Sequence, residues 1–190
     1  MNAGSLLRAL GAVGLLGLSS VALADNYEID AAHSTAIFAA KHFNVSWTYG
    51  RFNDISGKVV WDADPAKSSV DITVKTDSLD TNVDKRDQHL KSPDFFNSAQ
   101  FPTMTFKSKS ITKKSGTTYA VTGDLTIHGV TKSVTTDFEY VGTGPDAWGG
   151  TRSGYTTALT VKRADYGMSN MPDAVGPDVK LIISLEGVKK

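Results

Sequence analysis

From Ala36 onward the chain alternates apolar and polar positions in short runs, the period-2 signature of half-buried strands. Ala36, Phe38 and Ala40 alternate with Ile37, Ala39 and Lys41, which predicts a first strand with two mostly apolar or small faces. His42 to Tyr49 breaks the alternation, reads as a short helix or loop, and brings Phe43, Val45 and Trp47; Gly50 and Arg51 restart the sheet. Ile55, Gly57, Val59 and Trp61 then share one face, and Val70, Ile72 and Val74 give the cleanest alternation in the chain, with the turn signal Asp62-Ala63-Asp64-Pro65 between the two runs. Met104 and Phe106 begin a further strand. Tyr119, Val121, Leu125 and Ile127 share a face across Gly123, and His128-Gly129 reads as a hairpin turn into Val134, Thr136, Phe138 and Tyr140. Gly142 to Gly154 is glycine-rich and predicts a loop. Tyr155 to Val161 and Val179 to Leu185 complete the set.

The period fails between Ser78 and Phe106. Asp84, Lys85, Arg86, Asp87, Gln88, His89 and Lys91 fall within eight positions, and Phe95, Phe96 and Phe101 follow closely. A short charged helix leading into three aromatics suits a lid over an apolar cavity, with charges toward water and rings toward the interior. About eight strands with short turns and almost no helix predict an all-β, antiparallel fold. A two-sheet sandwich and a closed barrel both fit; the number eight favours the barrel, which at that size holds side chains or one small ligand. Small or polar inward positions (Ala36, Ala40, Gly57, Gly123, Thr157) leave interior space in this reading.

Composition narrows the picture. One positive charge at Arg8, an apolar run from Leu10 to Leu18 and the small-x-small Ala22-Leu23-Ala24 predict a cleaved signal peptide over residues 1–24. The run is shorter than the roughly 20 residues of a membrane span. The remaining domain, residues 25–190, carries 19 basic and 20 acidic side chains once Arg8 is removed. No clustered Lys/Arg surface points to nucleic acid. With no cysteine in the chain, thiolate zinc sites and cysteine catalysis are excluded, and the fold must hold by burial alone.

Catalytic patterns are scarce. His33, His42, His89 and His128 show no HExxH-type spacing, no GxSxG elbow occurs, and the glycine-rich segment lacks the Lys-Ser/Thr ending of a phosphate loop. A metal-dependent hydrolase and a ligand-free interaction module remain as alternatives to a binding barrel. His128 reads as a turn residue, and Arg163 with Asp165 as a possible structural pair.

Ordered motifs across the domain resemble one family. They are Tyr27-x-Ile29-Asp30-x-x-His33-Ser34, Gly50-Arg51-Phe52, Asp80-Thr81, Arg86-Asp87-x-His89-Leu90, Phe95-Phe96 and Phe101-Pro102-x-x-x-Phe106. Gly123-Asp124-Leu125-Thr126-Ile127-His128-Gly129-Val130-Thr131-Lys132 and Arg163-x-Asp165-Tyr166-Gly167 complete the pattern. Together they resemble the YceI-like family, with Tyr166 where many members have Phe. The resemblance implies a single eight-stranded lipocalin-like barrel with short helical lid segments, exported to the periplasm, that binds a long isoprenoid lipid and is not an enzyme. No resident cofactor is implied; the ligand would be a polyprenyl phosphate or pyrophosphate, or an isoprenoid quinone. Candidate lining residues are Phe38, Phe43, Trp47, Phe52, Phe95, Phe96, Phe101, Phe106 and Met168. Arg51, Arg86, His89 and Arg163 are candidates for a charged headgroup, because guanidinium forks suit phosphate oxygens. Transient contact with a membrane or a membrane redox protein follows as an expected partnership.

Overall fold

The computed structural model describes Met1 and residues 24–190, so the expected signal peptide falls almost wholly outside the described residues. Among the described residues eleven strand segments and one α-helix follow in order: β1 (Asp25–Ile29), β2 (Thr35–His42), β3 (Ser46–Phe52), β4 (Ile55–Trp61), β5 (Ser69–Lys75), β6 (Leu79–Asp80), α1 (Asp84–Lys91), β7 (Thr103–Ser115), β8 (Thr118–Ile127), β9 (Val130–Pro145), β10 (Thr151–Lys162) and β11 (Val175–Lys189). All pairings are antiparallel.

The segments make eight staves. β1 and β2 lie end to end along β11, with Ile29 opposite Gly187 and Thr35 opposite Ser184. β4 and β3 run back along them, and β5 and β6 continue beside that pair. β7 to β11 then follow as a meander, and the β1–β11 pairing closes the ring. Closure gives the long strands β7 to β11 a partner on both sides, while the two-residue β6 pairs with β3 alone. The eight-stranded barrel expected from the alternation is therefore the observed architecture.

Strand period 2 sends alternate side chains inward, and the two ends of the barrel use them differently. At the end where β1 and the start of β10 lie, Trp61 packs on Tyr119, Tyr140 and Tyr155 with ring centroids 4.8, 5.6 and 5.1 Å away. Tyr155, Val59 and Val121 beside them are fully buried. Ser153 donates a hydroxyl hydrogen bond to the Tyr155 oxygen at 2.9 Å, and burial pushes that phenol's pKa up. This end is plugged with rings.

Three expectations are corrected. The break at His42 to Tyr49 is not a helix, and its loop is confined to Phe43 to Val45: in a tight hairpin Val45 N–H donates to the His42 carbonyl, and β3 resumes at Ser46. Gly142 to Gly154 is mostly strand, because β9 runs to Pro145 and β10 starts at Thr151, with Gly142 opposite Gly154. Gly57 and Gly123 open no interior space. A Cβ at Gly57 would lie 2.1 Å from the Asp71 carbonyl oxygen, and one at Gly123 would lie 2.5 Å from that of Lys107 and 2.6 Å from the Phe106 ring. Both are close approaches of neighbouring staves.

Gly57 also has φ 151, which side-chain-bearing residues avoid. Gly57→Ala is expected to cost about 2–3 kcal/mol from overpacking and backbone strain together. Urea unfolding followed by tryptophan fluorescence measures it, and a shift under half a kcal/mol would contradict the packing described.

Candidate functional site

Beyond the ring plug the barrel is hollow. An apolar cavity of about 170 Å³ lies between the plug and the opposite end, walled by Leu125, Leu159, Val161, Val179, Leu181 and Ile183 from the strands and by Leu90, Phe95 and Phe96 from the lid segment. On β11 the wall extends from Val175 to Leu185, ten residues apart. With a rise of about 3.3 Å per residue and a tilt near 40°, that is roughly 25 Å along the barrel axis. The lining therefore defines a slot that runs along the barrel interior, a shape suited to an extended chain. Leaving such a space unfilled costs about 4 kcal/mol, at about 24 cal/mol per Å³. A ligand that fills it recovers that penalty.

Two of the wall's threonines bond one another. Thr136 and Thr157 share a hydroxyl hydrogen bond of 2.7 Å, and Thr157 also donates to the Asp137 carbonyl. Arg163, 5% exposed, borders the cavity, where its Nε donates to the Gly176 carbonyl, Nη1 to those of Met168 and Asn170, and Nη2 to that of Val175. Burial lowers its pKa from the ordinary guanidinium value.

The lid follows from local chemistry. Helix α1 has no fully buried residue; Leu90 packs on the core, and Asp84 in the first turn and Lys91 in the last complement the helix dipole. Thr81 fixes its orientation. Asp87 accepts from both the Thr81 amide and hydroxyl, and Arg86 donates to the Thr81 hydroxyl and carbonyl. After Ser92 the chain coils tightly, with Phe96 N–H bonded to the Leu90 carbonyl. This turns the Phe96 ring onto Phe52 at 5.4 Å, edge to face, and toward Phe38 at 6.3 Å.

Of the aromatic and Met positions singled out in the sequence, Phe38, Phe52, Phe95, Phe96, Phe106 and Met168 border the cavity. Three do not. Phe43 is exposed at the hairpin tip, and Trp47 lies on the outer face of β3 against Lys180, because the hairpin projects beyond the barrel wall. Phe101 packs on the turn at His128, with centroids 4.5 Å apart, and its carbonyl accepts the Thr76 hydroxyl. Among the headgroup candidates only Arg163 reaches the cavity. Arg51 is exposed, Arg86 is held by Thr81, and exposed His89 pairs with Asp94 at 3.0 Å. The expected Arg163–Asp165 pair gives way to the four carbonyls. His128 is the turn residue anticipated, with φ 51 and its Nδ1 at 3.1 Å from the Tyr166 carbonyl. The aliphatic wall, Leu159, Leu181 and Ile183 above all, was missed; its signal was the strand alternation itself.

Among the described residues, one group could hold a metal by geometry: Asp30, His33 and Glu186. A cation already sits there. Arg152 Nη1 lies 2.6 Å from Asp30 and 2.5 Å from Glu186, while its Nε bonds Asp146. The node ties the β1–β2 corner to β10 and β11. Arg152, and then His33, hold the Asp30 carboxyl down at about 2.

Comparison with known proteins agrees with this architecture. The profile of the YceI-like domain matches residues 27–187. The UPF0312 protein ECA1782 of Pectobacterium atrosepticum is 40% identical over 187 residues, 97% of either chain. The crystal structure of BcnA from Burkholderia cenocepacia superposes with a TM-score of 0.77 at 25% identity, covering 83% of this chain and 98% of that one. A polyisoprenoid binding domain from Saccharophagus degradans, implicated in plant cell wall breakdown, superposes at 0.68 with 17% identity over 86% and 98% of the two chains, a likeness of fold alone.

Two outcomes follow from these contacts. Arg163→Met should leave four carbonyls without their donor and lower stability by about 3 kcal/mol or more; hydrogen exchange should show residues 168–176 losing protection before the strands do, and uniform loss would contradict the strut. Asp30 has a folded-state pKa of about 2, below its unfolded value of about 3.9. Its stabilising contribution is therefore complete above about pH 4 and is lost as pH falls toward 2. In acid titrations followed by circular dichroism, Asp30→Asn should lose stability at neutral pH and show a shallower decline through that window.

Proposed function

The chain belongs to the YceI-like family, and from that premise and the cavity we propose that it is an exported carrier that sequesters one long isoprenoid-tailed lipid in its barrel. The observation that carries the reading is the apolar slot, plugged by rings at one end and roofed by Phe95 and Phe96 at the other. Each five-carbon prenyl unit moved out of water contributes roughly 4 kcal/mol gross, at about 0.8 kcal/mol per carbon. Ordering the tail and losing free motion take back much of that. Affinity should rise with chain length, by less than the gross figure per unit, until the slot is full. The domain named as polyisoprenoid binding in Saccharophagus degradans supports the cargo class by analogy of fold.

The polar end of the cargo belongs beside Arg163, the one cation among the wall residues. One Nη2 hydrogen remains beyond the four carbonyl bonds, enough to orient a phosphate, quinone or similar oxygen. The leader-like residues 1–24 support export to the periplasm, where a lipid of several prenyl units cannot cross water unaided. The protein's work in this reading is solubilisation, and it needs no bond-making step.

The test fills the slot. Ala36 is 4% exposed and faces the cavity; Ala36→Phe places a ring where the chain would lie. Prenyl alcohols of increasing length should displace an apolar fluorescent probe from the wild type with rising affinity. The variant should bind the probe at least tenfold more weakly, with an equal or higher melting temperature. Equal binding by both proteins, or no dependence on chain length, would remove the cavity from the function.

A further inference from the structure

The hairpin joining β2 to β3 stands at the hollow end of the barrel and is apolar where water should favour polar residues. Phe43 is 57% exposed and Val45 83%. Phe43 and Asn44 have φ of 47 and 57, the φ pattern of a type I′ turn, which Asn and Gly adopt readily and a bulky aromatic does not. Phe43 therefore carries backbone strain at a site where burial returns little of it. Such an outlier points to a role outside the fold.

Its neighbours define the surface. Trp47 lies between two ammonium groups, with Lys180 Nζ 4.2 Å and Lys41 Nζ 5.8 Å from the ring. Met171, 42% exposed, projects from the loop next to the tip, and the Phe43 amide donates to Ala174 of that loop at 2.8 Å. The same loop gives Met168 and Val175 to the cavity wall and is pinned by Arg163. Exposed aliphatic and aromatic groups at a tip, with an indole flanked by lysines just behind, match the depth profile of a lipid interface: apolar groups among the acyl chains, indole and ammonium at the headgroups.

We infer that the β2–β3 tip, with Met171, docks the protein on a phospholipid bilayer and sets the hollow end of the barrel against the phase that holds its cargo. This rests on the carrier reading. Exposed Asp173 and Asp178 in and beside the Met171 loop offset Lys41 and Lys180, so docking is driven by apolar insertion and depends weakly on salt. A second copy of the chain is the poorer occupant, because a stable dimer uses roughly 20–30 residues a side and the tip offers four.

Flotation of the mature protein with vesicles of phosphatidylethanolamine and phosphatidylglycerol tests the inference. Phe43→Asn suits the turn and should keep or raise the melting temperature; combined with Val45→Asp it should reduce vesicle binding at least tenfold. Brominated lipid should quench fluorescence that is lost in Trp47→Phe, and should spare Trp148, which is exposed at the plugged end. Probe binding in vesicle-free buffer should be unchanged by the tip variants. Equal flotation of wild type and variant, or a concentration-dependent dimer abolished by Phe43→Asn, would overturn the docking surface while leaving the carrier reading intact. Flotation by a wild type that takes no probe would uphold the surface and remove the carrier reading instead.

Discussion

The pairing of β11 with both β1 and β2 is the constraint on which the molecule depends. One fifteen-residue strand offers its whole edge to two shorter segments laid end to end, and so closes the sheet. A closed sheet has an obligatory inside, and alternation decides what fills it. Where the inward positions are Trp61, Tyr119, Tyr140 and Tyr155, the interior is solid. Where they are Ala36, Ala40, Thr157, Leu181 and Ile183, the side chains are too short to meet across the barrel. The slot is thus a consequence of residue size along staves whose spacing closure has already set.

Arg163 extends that logic to the hollow end. A buried guanidinium beside an apolar space would be costly alone. Here it is the donor hub for the Met168 and Asn170 carbonyls of the loop and for those of Val175 and Gly176 at the start of β11, so each solves the other's problem. The arrangement gives the cavity wall a fixed cation and gives the loop from Met168 to Gly176 a fixed shape. Through Ala174 the same loop steadies the β2–β3 tip.

Much of this was legible in the residues. The β5 alternation of Val70, Ile72 and Val74 stated its own geometry, and the failure of period before Phe95 and Phe96 marked the lid. The misreadings share a cause: they treated aromatic or glycine character as informative without its tertiary partner. Phe43 and Trp47 are aromatic within a break, as Phe95 is, but they lie on a hairpin that overshoots the wall. Gly142 and Gly154 look like loop residues singly and prove to be opposed strand residues. Gly57 and Gly123 seemed to leave room, whereas neighbouring backbone already occupies it. Arg163 is named as a headgroup candidate and does border the cavity, but its four partners are main-chain carbonyls, which every residue possesses and no side-chain pattern reveals.

The slot's occupancy in the cell decides the account most directly. Native mass spectrometry of protein purified from its own compartment, followed by organic extraction of any bound material, reads it without a chosen probe. The account predicts a single adduct per chain that extraction identifies as a prenyl-tailed lipid. Protein recovered without lipid, and unable to take up prenyl alcohols afterwards, would contradict it.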